Sequence, residues 1–145
     1  MAVARKSAPT RIIKTDTVSL FRVILPVSDI DSAARFYSII FDRPGERVSP
    51  GRHYFNFAGA VLALYDPRAD GDSCDPRPNQ EPVYLAVSGL KSYLKRARLT
   101  GYVPLDIEIE ERPWGETSFY ITDPSGNQVC FVDKRTVFTG QRRSK

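Results

Sequence analysis

Few side chains in this sequence are equipped for chemistry. It contains one histidine, His53, and two cysteines, Cys74 and Cys130. Cys130 lies in "DPSGNQVCFVD", residues 123–133. Pro124 and Gly126 hold the second and fourth places of Asp-Pro-Ser-Gly, as a type I turn favours, and Val129, Cys130, Phe131 and Val132 follow as a β-prone run. In that setting Cys130 is a metal ligand, a nucleophile or filling. A metal ligand needs imidazole or carboxylate partners, and no spacing here gathers them around the single histidine. A nucleophile needs a neighbouring base or a depressed pKa, and His53 is the only imidazole available. An unpaired cysteine in an apolar run is commonly buried, so the residues favour filling or cavity lining. Two cysteines do not make a disulfide framework, and a reducing, cytoplasmic setting fits them best.

The elements that must position these residues come in two similar halves. "LPVSDIDSAARFYSII" and "LAVSGLKSYLKRARLTG" each open with an apolar strand ending in Val-Ser; Val27-Ser28 recurs as Val87-Ser88, sixty residues later. Each is followed by an amphipathic helix. Ala33, Phe36, Tyr37 and Ile40, and then Leu90, Tyr93, Leu94 and Ala97, fall at i, i+3, i+4 and i+7, which stacks them on one helical face. Ser28 or Asp29, and Ser88, are expected N-caps; Pro44-Gly45 and Gly101 are expected helix ends. "RHYFNFAG" and "AVLALYD" read as strands meeting in a hairpin at Gly59. "LDIEIEE" alternates apolar and acidic residues and reads as a strand with one wet face, and "TSFYIT" and "NQVCFVD" flank the Asp-Pro-Ser-Gly turn. The expected architecture is α+β: two βαβββ modules, about 20–66 and 82–133, joined by a Pro-, Asp- and Gly-rich linker or mobile loop over 67–81.

The 145 residues fit one domain, and a hydrophobic fraction of 41% supplies a core. The net charge of +4 is unevenly placed: residues 1–20 carry +3 and 134–145 carry +5, leaving −4 for residues 21–133. Residues 1–19 and 134–145 therefore read as basic tails. Neither has the aromatic interleaving or dense charge of a nucleic-acid binder. No apolar run spans a bilayer. The N-terminus lacks the apolar segment of a secretory signal; a transit peptide is compatible with it, though a frayed basic terminus is the simpler reading.

Over residues 20–133, with "PVSDIDSAARFY" opening the first half and "PWGETSFYITDPSGNQVCFV" closing the second, the chain resembles the vicinal-oxygen-chelate superfamily. That superfamily includes glyoxalase I, extradiol dioxygenases, and fosfomycin- and bleomycin-resistance proteins. Pro-Trp-Gly followed by Asp-Pro-x-Gly-Asn is closer to the bleomycin-resistance-like, ligand-binding branch. The resemblance implies that the two modules form a curled mixed sheet around a cavity. Its metal-using members place His and Glu at four inward positions, which motif spacing assigns here to Arg22, Ala63, Pro82 and Cys130. None is His or Glu, and an inward Arg22 would repel a cation, so no metal and no other cofactor is expected.

Residues in phase with those positions are then expected to face the cavity. The expected ligand-binding set is Arg22, Tyr65, Tyr84, Trp114, Glu116, Ser118, Tyr120 and Cys130. An inward Arg22 needs an anion, either Glu116 or Glu108 or a ligand's own acid group. No catalytic residue is assigned. The function this implies is sequestration of a small, planar, partly polar organic molecule, an antibiotic or related metabolite, by a homodimer that shares its groove between subunits. Two alternatives stay open. One is a glyoxalase- or dioxygenase-like enzyme with a non-standard or absent metal, and the other is a structural or regulatory module whose cavity is filled. Neither nucleic acid nor membrane is an expected partner.

Overall fold

A computed structural model describes residues 17–140. The order of elements is β1 (Arg22–Pro26), α1 (Ile30–Phe41), β2 (Glu46–Ser49), β3 (Arg52–Phe57), β4 (Ala60–Tyr65), β5 (Val83–Val87), α2 (Leu90–Leu99), β6 (Glu110–Glu111), β7 (Thr117–Thr122) and β8 (Gln128–Asp133). This is βαβββ twice, an α+β fold. The strands form two four-stranded sheets ordered β1-β4-β3-β2 and β5-β8-β7-β6, and the two do not merge into a closed barrel. In each, the first strand lies parallel to the last and the remaining pairs are antiparallel. No helix among the described residues is long and apolar enough to cross a membrane.

The helical periodicity is realised. Ala33, Phe36, Tyr37 and Ile40 are buried, as are Leu90, Leu94 and Ala97. The helices pack together over one face of both sheets, where Leu25, Phe55, Leu62 and Leu64 meet Phe119, Ile121, Val129 and Phe131 in one core. Asp29 caps α1, its carboxylate accepting from the N–H groups of Asp31 and Ser32. The Asp66 carboxylate takes the Ile30 N–H at 3.1 Å, so little of the first turn is left unsatisfied.

Several expectations need correction. Ser88 does not cap α2; Gly89 does, in a left-handed conformation (φ 77°) with no side-chain cap bond, a backbone that glycine adopts without strain. Helix α1 ends at Asp42, itself left-handed (φ 55°), before Pro44-Gly45 is reached. "LDIEIEE" is not a strand along its length: only Glu110 and Glu111 pair, with Ser118 and Thr117. Upstream, the Ile107 N–H donates to Pro104 and the Ile107 carbonyl accepts from Arg98. That backbone spends its polar groups on a turn and a side chain rather than on a ladder, and Leu105 is left exposed.

The segment over 67–81 is pinned. Asp70 accepts from Ser49, Gly51 and Arg52, and Tyr65 donates to Asp72. Beyond it Asn79 reaches the Ile24 carbonyl at 2.9 Å. The modules meet at Asn127, fully buried: its amide accepts from the Asn79 N–H at 2.8 Å and donates to the Pro26 carbonyl at 2.7 Å and to Asp123 at 3.2 Å. Tyr37 from α1 donates to the same Asp123 carboxylate at 2.7 Å. The Asp-Pro-Ser-Gly turn closes as expected, Gly126 N–H to Asp123 carbonyl. Most of the expected N-terminal tail lies outside the described residues. The expected C-terminal tail instead begins with a 3-10 turn over Lys134–Thr136.

Candidate functional site

Alternation along β5, β7 and β8 sends one set of side chains into the core and the other to the face away from the helices. Register puts Tyr84 beside Cys130 and Cys130 beside Tyr120, then Ala86 beside Val132 and Val132 beside Ser118. Two irregular segments fold over this face. Arg112, Trp114 and Glu116 come from the turn before β7, and Val137 and Phe138 follow the 3-10 turn after β8. Between them lies a hollow of about 400 Å³ lined by Tyr84, Leu85, Ala86, Trp114, Glu116, Val132, Val137 and Phe138.

Glu116 holds the walls in place. One carboxylate oxygen accepts from the Trp114 indole N–H at 2.8 Å and the other from the Phe138 N–H at 2.9 Å; Thr136 adds a bond from the Thr117 N–H. The indole is thereby fixed while 49% of Trp114 remains exposed, beside a Tyr84 that is 54% exposed. A ring held at one edge with its face open suits stacking on a planar molecule.

The phenols of Tyr84 and Tyr120 share a hydrogen bond of 3.2 Å. That bond, with burial second, raises the Tyr120 pKa well above the ordinary phenol value, so Tyr120 keeps its proton and does not serve as a base. Burial pushes the Cys130 thiol up, and the hydroxyls of Ser118 and Tyr120 and the charge of Arg112 offset this only in part. Cys130 is 1% exposed and carries neither the thiolate character nor the access of a nucleophile. Arg112 lies over the Tyr120 ring at 5.0 Å and donates to the Ser118 hydroxyl and carbonyl and to Glu110.

Of the residues the sequence nominates, Tyr84, Trp114 and Glu116 line the hollow, and Ser118, Tyr120 and Cys130 share its sheet face. Arg22 and Tyr65 are placed elsewhere, on the other sheet. Arg22 is exposed, stacked on Phe21 at 4.7 Å and Tyr54 at 5.8 Å, and the expected pairing with Glu116 or Glu108 does not form. Tyr65 is committed to Asp72, which raises its pKa to about 12. His53 is buried under the first module: one ring nitrogen meets the Pro44 carbonyl at 2.8 Å, and the other accepts from Arg47 at 3.3 Å. A carbonyl only accepts and a guanidinium only donates, so the ring is neutral with its proton on Nε2.

The four positions that the resemblance assigns to metal ligands hold Arg22, Ala63, Pro82 and Cys130. These are a cation, two side chains without a donor atom and a protonated thiol, so the donor set does not fit a divalent ion. Among the described residues no group of three or more His, Cys, Asp or Glu side chains is placed to hold a metal. Two parts of the site escaped the sequence reading. Arg112 lies in the same alternating phase as Trp114, Glu116 and Ser118, and extending that phase by one step finds it. Val137 and Phe138 are an apolar pair within a stretch whose lysines and arginines suggested a tail.

A family model described as Glyoxalase/Bleomycin resistance protein/Dioxygenase superfamily matches residues 19–131. Comparison with curated proteins gives no match. Among solved structures, a glyoxalase/bleomycin resistance protein from Albidiferax ferrireducens T118 is similar with a TM-score of 0.64 and 16% identity, covering 79% of this chain and 97% of that one. A glyoxalase-related enzyme from Fulvimarina pelagi has a TM-score of 0.63 and 20% identity over 79% and 87%. Lactoylglutathione lyase from Agrobacterium tumefaciens has a TM-score of 0.58 and 20% identity over 85% and 99%. At these identities the likeness is one of fold.

Proposed function

The chain belongs to the Glyoxalase/Bleomycin resistance protein/Dioxygenase superfamily, and within it we propose that it binds and withholds a small planar organic molecule without turning it over. The observation that carries this reading is the roughly 400 Å³ hollow walled by Trp114, Tyr84 and Phe138. Its size and make-up, aromatic walls with a few polar tips, are those of a small-molecule site. The half-open Trp114 face supplies the stacking platform, and Glu116 and the Tyr84–Tyr120 hydroxyls supply polar contacts at its margin. The chemistry around it is that of binding: a protonated thiol, the protonated Tyr120 phenol and a carboxylate already holding two N–H groups.

Trp114 is the single tryptophan, so its emission reports on the hollow directly. Titration with a panel of planar aromatic compounds, quercetin and acridine among them, is expected to yield at least one that quenches Trp114 saturably and raises the unfolding temperature. Replacing Glu116 with alanine releases both walls and should weaken that compound by about tenfold or more, the loss of roughly one charge-assisted hydrogen bond's worth of positioning. A panel with no saturable quencher, or a quencher indifferent to both E116A and Y84A, would defeat the proposal.

A further inference from the structure

A second hollow, of about 450 Å³, adjoins the first along β5 and shares Tyr84, Leu85 and Ala86 with it. Phe41 and Phe57 of the first module and Leu85 and Tyr93 of the second form its apolar walls, Ser88 lies at its lining, and among the described residues Arg43 and Lys134 are the only charged ones that line it. Arg43 rests over the Phe57 ring at 5.6 Å and spends one N–H on the Asn56 carbonyl at a long 3.4 Å, so most of its donor fork is free. Among the described residues the Lys134 ammonium has no ion pair. The neighbouring Asp133 carboxylate does not neutralise it, being held by Arg135 at 2.7 Å.

Two further features favour an anion here. The carbonyl end of α1, whose partial negative charge would oppose one, is covered: Arg96 donates to the Ile40 carbonyl at 2.8 Å and the Arg43 N–H to that of Ser38. Among the described residues β5 pairs only with β8, so its other edge presents unpaired backbone N–H groups, alternating with carbonyls, to this hollow, and a carboxylate can take an N–H. Apolar walls, two uncommitted cations and some open amide donors converge on one space.

We propose that this second hollow binds an apolar organic acid, a carboxylate on an aryl or acyl body, with the head between Arg43 and Lys134 and the body against Phe41 and Phe57. A guanidinium fork matches a carboxylate bidentately, and an apolar body suits the rings of Phe41, Phe57 and Tyr93. The two hollows share Tyr84, Leu85 and Ala86 of β5, but Arg43 and Lys134 line this one alone, so their substitution tests it apart from the reading at Trp114.

The test is calorimetric titration of the whole chain with 2-naphthoate, against the neutral 2-naphthalenemethanol. Naphthoate should bind saturably and about tenfold or more tighter than the alcohol, the scale of one charge-assisted contact. The double variant R43Q/K134Q should lose that margin while binding the alcohol as before. Ala60→Trp, at an exposed strand end that lines the hollow, should block both probes, whereas Trp114→Ala should leave naphthoate binding unchanged. The proposal is overturned if naphthoate binds no tighter than the alcohol, or if R43Q/K134Q or A60W binds naphthoate like the parent. Loss of binding in W114A would also overturn it, by moving the ligand to the first hollow.

Discussion

Asn127→Ala should be among the most damaging single substitutions in the chain, although Asn127 touches no ligand surface. Its side chain is fully buried and bridges the linker, β1 and the turn before β8. Truncation strands the Asn79 N–H and the Pro26 carbonyl. Each buried orphan costs about 1–3 kcal/mol; with water recovering part of this, a net loss of about 3 kcal/mol is expected. Against a total stability of about 5–15 kcal/mol that is a large fraction, and with a urea slope of about 1–3 kcal/mol/M the midpoint should fall by about 1–3 M. Equilibrium urea unfolding followed by circular dichroism measures it, with the exposed neighbour Gln128→Ala as control, expected within about 0.5 kcal/mol of the parent. Asn127→Asp sharpens the test. It keeps the acceptor for Asn79 but loses the donor to Pro26 and sets a second carboxylate against Asp123, so it should be worse than alanine near neutral pH. If N127A costs less than about 0.5 kcal/mol, or N127D is the milder of the two, the argument that polar satisfaction holds the modules together is wrong.

Two predictions concern titrating groups. In the native protein one thiol per chain, the exposed Cys74, should react rapidly with Ellman's reagent, and Cys130 should react only after unfolding; a second fast equivalent would contradict the burial that raises its pKa. Because the folded thiol keeps its proton to higher pH than the unfolded one, its contribution to stability is complete at low pH and declines as pH climbs past the ordinary thiol range. Asp133 has the opposite sign. Hydrogen bonds from the Arg135 side chain and N–H lower its pKa to about 2, so its contribution is present above the ordinary aspartate value and disappears as pH falls toward 2. Carboxyl NMR titration should give about 2 for the parent and a clearly higher value in R135Q, still below the ordinary aspartate range because the residue 135 N–H continues to donate; an unchanged value in the variant would refute the assigned cause.

The repeat was legible because it is written in periodicity: Phe36, Tyr37 and Ile40, or Leu90, Leu94 and Ala97, can be buried together only on a helix. Ser88 and "LDIEIEE" misled for a shared reason. A cap preference and a two-residue alternation are local signals, and Gly89's backbone and Arg98's grip on the Ile107 carbonyl overrode them. The second sheet's face could be read through to Trp114, since alternation carries along a strand. Arg22 could not be placed. Alternation says which face it occupies, but whether that face is covered depends on chain far away in sequence, and among the described residues Arg22 stacks on the Phe21 and Tyr54 rings and stays exposed.

That difference in cover sets the two halves of the duplicated fold apart. Both sheets turn a face away from the helices, and in both an aspartate at the end of the last strand or just past it organises the next turn. Asp66 accepts from Ala69 N–H and Asp133 from Arg135 N–H. After Asp66 the chain is tied down flat: Asp70 takes Ser49, Gly51 and Arg52, and Asp72 takes Tyr65, so polar groups pair with each other along the rim. After Asp133 the chain makes a single 3-10 turn and brings Val137 and Phe138 back over the sheet, where Glu116 fixes them opposite Trp114. The same scaffold is thus closed by ion pairs in one half and roofed by rings in the other. The roofed half keeps an apolar hollow over its sheet, because rings held from one side by a carboxylate cannot collapse onto the strands beneath them.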